Sequence, residues 1–424
     1  MFHLVMAVDP RQVLAGFLTI SMFALLGNMI KQDHFDSVEE NISQASDVQI
    51  SVIKIEQEAD MLPMIKGPWE ENRHEVKPCW TRPSPNVAEE STGFITFSLK
   101  SGPEYHMSQI ADAVVIARYL RATLVLPDIR GGEPGQKRDF QDMYNVEKFI
   151  SSMNGIVKIT REIPAEVASG KPAVVRVPNR VSEEFIVKDI DPIFRTKGYL
   201  RLAISFPSVN LKLNSKQNND LDSTTCLAMF DSLELKTEIQ EVAEQMISRL
   251  KTLSHKSDSK FIAVDLRIDV LEKKGCKEVG GPGRKSCYNG QEIGDFLKKI
   301  GFDGDATLYL TQTWWHESLN PLKEMFPKTY TKDDIIPSDK KGQFLRSGNA
   351  GLEKALDLYI CSQSDVFVPA ISGMFYGSIT GKRIASGRSQ ILVPAQISGS
   401  SAPASDFISS YVTMKNHLAY SCYC

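Results

Sequence analysis

The sequence predicts an α/β protein with two Rossmann-like lobes, each built on a parallel sheet, and a cleft between them. Apolar strand-like runs alternate with amphipathic helical runs along most of the chain, and the polar segment KTLSHKSDSK (251–260) interrupts this alternation once. Strands that alternate with helices form parallel sheets, because each helix returns the chain to the same edge of the sheet. One long uncharged segment near the start predicts that a transmembrane helix and a stem precede the lobes.

That uncharged segment is QVLAGFLTISMFALLGNMI, residues 12–30, bounded by Arg11 and Lys31. As a helix it is roughly 28 Å long, about the thickness of the hydrocarbon core of a bilayer. No small-x-small cleavage site follows it, which favours a retained signal anchor over a cleaved signal peptide. We therefore predict a cytoplasmic tail (1–11), a transmembrane signal anchor (12–30) and a lumenal stem (31–90), in type II orientation.

Composition and cysteine content limit the classes of function. A chain of 424 residues with a formal net charge of -3 and no long basic run gives no indication of nucleic-acid binding. The Asn41 sequon just outside the membrane agrees with a lumenal stem. Cys276 and Cys287 bracket a loop rich in glycine and basic residues, which a disulfide between them would stabilise by about 3 kcal/mol, the alternative being two free thiols.

The strands and helices before the polar segment belong to a predicted first lobe, residues 91–255, on the acceptor side. Its central pattern is a strand, a glycine loop, a helix and a strand within forty residues, which is a βαβ unit. The predicted strands are 93–99, 123–129, 155–160, 173–177 and 200–206, and the predicted helices are 107–122 and 233–250.

The same alternation restarts in a predicted second lobe, residues 256–424, on the donor side. Nucleotides bind outside the carboxyl ends of the strands in such folds, which places the predicted site in the cleft. The predicted strands are 261–268, 306–312, 365–370 and 390–395, and the predicted helices are 291–302, 318–326, 352–363 and 375–386.

The first candidate for the site is FIAVDLRID, residues 261–269. If the strand continues to its end, alternation places Asp265, Arg267 and Asp269 on one face. A guanidinium at the carboxyl end of a strand is suited to bind a diphosphate and to stabilise a departing nucleoside diphosphate. The alternative is an ion-pair ladder on a strand face, without a role in binding.

A second candidate is the turn between a strand and a helix within residues 364–383. Ser372 and Gly373 precede the helix, whose first backbone N–H groups are able to bind an anion. Lys382 and Arg383 are further candidate partners for phosphate. The alternative is an ordinary helix amino terminus followed by basic residues near the carboxyl end of the helix.

The third candidate is the loop SGPEYH, residues 101–106, between a strand and a helix. Glu104 or His106 is a candidate general base toward an acceptor hydroxyl, and the alternative is that both side chains are only solvated. Asp303 and Asp305 form an Asp-x-Asp pattern, but they lie between a helix and a strand. We therefore predict no metal site.

Four long segments resemble the plant protein O-fucosyltransferase-like family, and within it the mannan-synthesis-related branch. They are IADAVVIARYLRATLVLPDI, KFIAVDLRIDVLEKKGC, LYLTQTWWHESLNPLKEMFPKTYTKDDI and SDVFVPAISGMFYGSITGKRIASGRSQILVPA. The resemblance covers residues 7–396, including the anchor. It implies a GT-B fold, inverting metal-independent transfer, a GDP-sugar as co-substrate without any cofactor, and a Golgi membrane location.

The family's motifs fall on the three candidate segments. Its His-x-Arg motif, whose arginine contacts the donor diphosphate, falls on residues 265–267, where Arg267 is kept and Asp265 replaces the histidine. Its donor-binding turn falls on Ser372, Gly373 and Met374.

The family's Gly-Gly-x-Asn-Gln-x-Arg loop falls on residues 101–107. Gly102 is kept, whereas Glu104 and Met107 stand at the positions of the asparagine and the arginine. An anionic glutamate cannot make the donor contacts of an amide. The acceptor would then approach from the side of Gly102 and His106, and Glu104, His106 or Asp269 would take its proton.

Together, residues and resemblance predict a Golgi glycosyltransferase that acts in mannan or glucomannan biosynthesis. A polysaccharide or a glycoprotein is the expected acceptor. The alternative, from another class, is a catalytically inactive protein that binds and organises a mannan synthase, since altered motifs are also what a loss of chemistry would produce. A third hypothesis is a lumenal sugar-binding lectin.

Overall fold

The structure is a computed structural model. It describes residues 68–69, 76–85, 91–100, 102–131, 137–178, 181–204, 219–255, 258–276, 285–346, 350–395, 402–413 and 415–424. The predicted tail and anchor, most of the stem and Asn41 lie outside these residues. In the described part, no helix has the length and apolarity that a membrane crossing requires. Residues Met64–Cys424 form one compact unit.

The first sheet is built around strand β1, which pairs in parallel with strands on both of its sides. β1 pairs with β2, β3 and β7, β7 pairs with β6, and β2 pairs with β5, all in parallel, while β4 pairs antiparallel with β3. The strands are β1 (Phe94–Leu99), β2 (Thr123–Val125), β3 (Asp128–Arg130), β4 (Lys137–Asp139), β5 (Ile159–Thr160), β6 (Ala173–Val177) and β7 (Tyr199–Ile204).

The long helix after β1 is almost entirely buried, because apolar side chains surround it and it packs on β1, β2 and a later helix. Arg118 on this helix forms an ion pair with Asp220 at 2.6 Å. The helices of this part are α1 (His106–Leu120), α2 (Val146–Ser152), α3 (Ala165–Ala168), α4 (Glu183–Phe185), α5 (Asp191–Lys197), α6 (Asn219–Phe230) and α7 (Thr237–Leu253), and the π-helix Ile186–Ile190 joins α4 to α5.

The second sheet has four parallel strands in the order β10-β9-β8-β11. The strands are β8 (Phe261–Asp265), β9 (Thr307–Leu310), β10 (Thr329–Tyr330) and β11 (Val366–Pro369). Every residue of β8, β9 and β11 is buried. Continuous apolar runs such as FIAV and VFV are typical of parallel strands that helices cover on both faces.

Capping residues define several helices around the second sheet. Asn289 and Thr331 each begin a helix with a capping box, completed by Glu292 and Asp334, and Gly275 ends a helix in the left-handed conformation. The helices are α8 (Ile268–Lys274), α9 (Gly290–Lys299), α10 (Asn320–Met325), α11 (Lys332–Ile335), α12 (Lys341–Phe344), α13 (Ala350–Gln363), α14 (Met374–Ala385) and α15 (Ser410–Thr413).

The sequence predicts most of these elements, but several predicted strands are shorter than expected. The strand predicted over 261–268 ends at Asp265, the strand predicted over 306–312 comprises Thr307–Leu310, and three further segments also differ. Segment 123–129 forms two strands, β2 and β3, because Pro127 has no N–H to donate and the two halves pair with different parts of β1. In 155–160 only β5 is a strand, since the preceding residues close the turn after α2. Segment 390–395 makes a single bridge, from Ile391 to Phe367, rather than a strand.

Two predictions for the middle of the chain also need correction. The helix predicted over 233–250 begins at Thr237, because Leu235 instead forms a bridge with Tyr144. Helix α6 was not predicted, since its sequence NDLDSTTCLAMF carries little amphipathic pattern. The division between lobes at residues 255 and 256 stays a prediction. The two sheets lie within residues 94–204 and 261–369.

The described part of the chain contains three disulfides. Cys276 and Cys287, whose pairing the sequence left open, form one of them, with a Cα–Cα distance of 5.0 Å. Cys226 of α6 pairs with Cys422, and Cys79 pairs with Cys424, each with a Cα–Cα distance of 5.7 Å. The carboxyl-terminal residues are therefore attached covalently to the layer of helices that covers the first sheet, a connection that the sequence did not predict.

Candidate nucleotide-sugar site

Arg267 lies at the carboxyl end of β8, where the strand gives way to helix α8. Its Nε and Nη2 donate to Oδ1 and Oδ2 of Asp265 at 3.0 and 3.2 Å. The Asp265 side chain is 0% exposed and the Arg267 side chain is 15% exposed.

The expectation that Asp265, Arg267 and Asp269 share a strand face is wrong, because the strand ends at Asp265. Asp269 belongs to the first turn of α8, is 67% exposed and pairs with Lys273 at 3.8 Å.

Two contacts fix the orientation of the Arg267 guanidinium. Asp265 holds one edge, and the ring of Phe375 lies under the guanidinium carbon with 4.6 Å to the ring centroid. Nη1 donates no hydrogen bond to any residue that the structure describes. Burial raises the pKa of Asp265, and the charge of Arg267 opposes that rise. The guanidinium is thus held rigidly with one donor edge unused.

A chain of buried polar contacts continues from Asp265 into the second sheet. Thr311 donates from Oγ1 to Asp265 Oδ1 at 2.9 Å, and Lys332 Nζ donates to the Thr311 carbonyl at 2.6 Å. Lys332 is 1% exposed and forms an ion pair with Asp357, whose other oxygen accepts from the Tyr309 hydroxyl at 2.7 Å. Burial raises the pKa of Asp357 to about 6, against the charge of Lys332. Sequence analysis did not predict this cluster, because the residues that contact one another are 21 to 48 residues apart.

The predicted turn lies at the amino terminus of α14, close to two cations. Ser372 donates from both its backbone N–H and its Oγ to the Ser286 carbonyl, at 3.1 and 2.9 Å. Gly373 is exposed with φ +139, a conformation that other residues rarely adopt. Lys274 Nζ donates to the Ser372 carbonyl at 2.7 Å. The pKa of Lys274 is lowered mainly by desolvation and further by the positive charge of Arg267. The two cations therefore interact electrostatically.

Lys274 is the member of this site that sequence analysis missed. It was one of several basic residues in the segment EKKGC, and the only available signal was its position at the end of the helix that follows Arg267. Met374, by contrast, lies where it was expected, as the first residue of α14 and partly buried. Backbone N–H groups at a helix amino terminus, with two cations beside them, form an anion-binding arrangement.

The two basic residues near the end of α14 do not belong to that arrangement. Lys382 is eight residues after Met374, which is roughly 12 Å along the helix axis. Its side chain lines a small cavity with Pro103 and Tyr144, and burial lowers its pKa. Arg383 is fully buried and donates to several backbone carbonyls of neighbouring segments. Arg383 therefore has a structural role and is no partner for phosphate.

Glu104 connects the loop after β1 to the helices beside the second sheet. Its Oε1 accepts from Lys354 Nζ at 2.7 Å, and its backbone carbonyl accepts from Ser378 Oγ at 2.8 Å. The residue is 5% exposed, and its Oε2 has no hydrogen-bond partner among the described residues. A Cβ at Gly102 would lie 2.6 Å from that oxygen, so glycine leaves the space that the carboxylate occupies.

His106 lies in the core and not at the surface of a cleft, contrary to expectation. Its Nδ1 is 2.6 Å from the Tyr144 hydroxyl, and its Nε2 contacts the Lys100 carbonyl. A carbonyl only accepts, so Nε2 carries the proton and Nδ1 accepts from the tyrosine. Burial lowers the pKa of His106 to about 4. Because the ring is fully buried and both nitrogens are engaged, His106 is a core residue without access to an acceptor.

In the described ranges, no group of three or more His, Cys, Asp or Glu side chains is arranged to hold a metal ion. Asp303 and Asp305 lie in an exposed turn between α9 and β9. The groups that the structure does bring together are Arg267, Lys274 and the start of α14 on one side, and Glu104 with its unpartnered oxygen on the other. Both sides contact helix α14: Arg267 lies over Phe375, and Ser378, three residues later, donates to the Glu104 carbonyl.

Comparison with known proteins identifies close relatives of the whole chain. Protein MANNAN SYNTHESIS-RELATED 2 of Arabidopsis thaliana is 52% identical over 424 residues, covering 99% of this chain and 100% of that protein. Protein MANNAN SYNTHESIS-RELATED of Trigonella foenum-graecum is 48% identical, with the same coverage. O-fucosyltransferase 29 of Arabidopsis thaliana is 26% identical and covers 73% of this chain and 61% of that protein.

Solved structures give only remote similarity. POFUT1 in complex with GDP is 13% identical with a TM-score of 0.43, covering 71% of this chain and 98% of that chain. The family model for GDP-fucose protein O-fucosyltransferase matches residues 106–385, which include every candidate residue except Gly102 and Glu104. With that match and with relatives about half identical over nearly the whole length, the chain belongs to the GDP-fucose protein O-fucosyltransferase family.

Proposed function

We propose that this chain is a Golgi glycosyltransferase of the GT-B type, which transfers a sugar from a GDP-sugar to a mannan or glucomannan acceptor. Its family membership supports transferase chemistry, and the names of its relatives support a role in mannan synthesis. The observation that carries the proposal is the fixed Arg267 guanidinium, with Lys274 and the start of α14 beside it. The two sheets would form the two lobes, with the site between them.

The cationic side of the site suits the diphosphate of the donor. As the bond from the sugar to the diphosphate breaks, negative charge develops on the leaving group, and preorganised positive groups stabilise it. Arg267 is held by Asp265 and Phe375, so its free donor edge needs little reorganisation. Lys274 and the backbone N–H groups after Gly373 would bind the remaining phosphate oxygens.

Glu104 is the candidate base on the acceptor side. The hydroxyl oxygen of the acceptor would attack the anomeric carbon, its proton would pass to Oε2 of Glu104, and GDP would leave with the electrons of the broken bond. This step inverts the anomeric carbon and needs no metal. Oε2 suits the role because it is buried and unpartnered in the described part, while Lys354 holds Oε1. Asp269 is less suited, because it is exposed and paired with Lys273.

The disulfides support a lumenal location. Three disulfides among the described cysteines are typical of proteins that fold in an oxidising compartment. The proposed topology is a type II anchor at residues 12–30 with the folded part in the Golgi lumen.

The test is a donor-resolved activity assay on the purified full-length chain. GDP and UDP release is measured with a panel of nucleotide-sugars and mannan oligosaccharides, for wild type, Arg267→Lys and Glu104→Gln. Arg195→Lys and Glu166→Gln are matched controls, because both side chains are exposed on short helices. We expect GDP release by the wild type, a loss of at least roughly 100-fold in both site variants, and unchanged controls. Equal rates in the site variants and their controls would contradict the assignment.

One observation favours a second candidate function, a catalytically inactive organiser of a synthase. Two of the guanidinium's donors are already engaged by Asp265, so the ion pair holds Arg267 in place without a ligand. This candidate predicts no nucleotide release with any donor and retained binding to a mannan synthase. A thermal-shift screen separates the candidates, because a bound donor raises stability with the logarithm of its concentration over its Kd. A lectin would instead bind oligosaccharide without binding any donor.

A further inference from the structure

One face of the first sheet is open. On β1 the side chains of Ile95, Phe97 and Leu99 are buried, whereas Thr96 and Ser98 are only partly buried. The same alternation occurs on β3 and β7, which pair with β1, and on β6, which pairs with β7, whereas β2 is buried at every residue. The outward residues of this face are Asp128 and Arg130 on β3, Val174 and Arg176 on β6, and Tyr199 and Arg201 on β7.

An open face is unusual for a parallel sheet. Parallel sheets occur almost only with both faces covered, and their strands are then apolar throughout. The second sheet of this chain follows that rule, since β8, β9 and β11 are buried at every residue. On the first sheet, α1 covers one face, and Val174 on the other face is 65% exposed. The contrast within one chain makes this face a candidate surface for a ligand.

The open face forms the floor of a groove with a volume of about 760 Å³. That volume lies within the range of roughly 300–1,000 Å³ typical of ligand sites. Pairing places Arg201 beside Thr96, and Ser98 beside Asp128. In the described ranges, the Ser98 hydroxyl and the Arg201 guanidinium have no hydrogen-bond partner, although both line the groove. The groove thus presents unused donors at fixed spacing along two strands.

The charges of the groove favour a neutral ligand rich in hydroxyl groups. Arg130, Lys137, Arg161 and Arg201 line it together with Asp128, Asp139 and Glu162, which leaves nearly balanced charge. Balanced charge disfavours a polyanion, and the density of polar groups disfavours an apolar protein surface. Side chains that both donate and accept, beside the aromatic ring of Tyr199, suit the hydroxyls and apolar ring faces of a hexose.

The floor of the groove lies close along the chain to the loop that holds Glu104. Ser98 is at the carboxyl end of β1, and Gly102 follows it by four residues. Four residues of extended chain reach at most about 14 Å, so the two positions are no farther apart than that. A chain of two or three hexose units spans such a distance, so an oligosaccharide on the groove floor would have one end near Glu104.

We propose that the open face of the first sheet binds a neutral hexose oligosaccharide and feeds its end toward Glu104. This inference rests on the proposed function, since the bound chain is the acceptor of that reaction. It assigns substrate binding to residues on β1, β3 and β7 that lie outside the predicted nucleotide site.

The experiment measures binding without donor. Linear β-1,4-mannohexaose is titrated calorimetrically into the full-length chain, for wild type, Arg201→Ala and Arg176→Ala. Arg176 is the matched control, because it is exposed on the same face but does not line the groove. We expect Arg201→Ala to weaken binding by roughly tenfold or more, and Arg176→Ala to bind as the wild type does. Neither change breaks an ion pair between described residues, so both variants should fold.

Three outcomes would overturn the inference: no binding by the wild type, equal binding by both variants, or preference for a sulfated oligosaccharide of the same length. Glu104→Gln separates the inference from the proposed function, since it should bind mannohexaose normally while losing nucleotide release. If binding depends on Arg201 but no donor gives nucleotide release, the proposal that the groove binds oligosaccharide stands and the proposed transferase function is refuted. Nucleotide release that is unaffected by Arg201→Ala, with unchanged binding, would refute the groove alone.

Discussion

Asp265 and Arg267 form a two-point ion pair across the end of β8, although only Asp265 belongs to the strand. Nε and Nη2 of the arginine contact both carboxylate oxygens, and the carboxylate is fully buried. A buried carboxylate is costly unless a charge partner and hydrogen bonds compensate it, and here Thr311 adds a further hydrogen bond. The pair therefore fixes the arginine at the edge where a donor would bind.

Arg267→Ala should destabilise the protein more at neutral pH than at acid pH. The substitution leaves Asp265 buried without its charge partner, which typically costs about 3–5 kcal/mol. Burial already raises the pKa of Asp265, and loss of the guanidinium raises it further. A carboxyl with a raised folded-state pKa contributes stability below its unfolded pKa that is lost as the pH rises through the folded value. Urea unfolding at pH 5 and pH 8 measures the difference.

The double substitution Asp265→Asn with Arg267→Gln is the control for that prediction. It removes both charges, so no buried charge is left alone, and we expect stability within about 2 kcal/mol of the wild type. Its stability relative to wild type should also change little between pH 5 and pH 8. If Arg267→Ala were as stable as the double variant at pH 8, the ion pair would not offset the free-energy cost of burying the Asp265 carboxylate.

Gly102→Ala should impair both activity and stability. The new Cβ would lie 2.6 to 2.7 Å from the carboxylate of Glu104, which is the flexible end of a side chain and is able to move away. Movement would separate Glu104 from Lys354 and displace the proposed base. We expect a stability loss of about 1–3 kcal/mol, because the largely buried carboxylate loses its ion-pair partner, and a rate of nucleotide release at least roughly tenfold lower.

Gly290→Ala is the matched control, because its Cβ would meet only ordinary contacts of 3.5 Å. Thermal denaturation and nucleotide release are measured on both variants. Wild-type activity in Gly102→Ala would exclude Glu104 in its present position as the base.

His106→Gln should reduce the acid sensitivity of the fold. Burial lowers the pKa of His106 from 6.5 to about 4, so the unfolded chain binds a proton that the folded chain does not. The stability from this group is present above pH 6.5 and is lost as the pH falls toward 4, by about 3 kcal/mol at 1.36 kcal/mol per pKa unit. Relative to wild type, the variant should therefore gain stability as the pH falls through this window.

The stability difference from wild type is measured by urea unfolding at pH 7, 6 and 5. Taking a difference cancels the other titrating groups, including Asp112, whose pKa burial raises to about 7. His417→Gln should behave in the same way, since burial also lowers the pKa of His417 to about 4. A pH-independent difference for both variants would show that neither imidazole is held neutral in the folded protein.

Removal of the disulfide between Cys226 and Cys422 should cost more stability than removal of the disulfide between Cys276 and Cys287. The first closes a loop with a sequence separation of 196 and the second one of 11. In the chain-entropy model these correspond to about 5 and about 3 kcal/mol, because a longer loop restricts the unfolded chain more. Urea unfolding of the two double alanine variants, without reductant, compares them. A larger loss at residues 276 and 287 would contradict the model.

Local pattern predicted the elements of this fold well where it was strong. Neighbouring residues alone were enough to predict strands β1, β8 and β11 from their apolar runs, and helix α9 from its amphipathic pattern. It failed where a tertiary partner decided the outcome. Segment 390–395 has the composition of a strand, but it makes only one bridge with β11. α6 lacks an amphipathic pattern because, packed between α1 and the carboxyl-terminal residues, it is buried on more than one side.

The amino-acid sequence by itself determined the α/β class, the parallel sheets and the position of Arg267 near a strand end, because each depends on residues close in the chain. Tertiary structure decided that Asp265 is fully buried, that Glu104 meets Lys354 and that His106 lies in the core. Glu104 and Lys354 are 250 residues apart, and Thr311 and Asp265 are 46 apart. Contacts over such separations depend on how the sheets and helices pack. The local periodicity of the sequence carries no information about that packing.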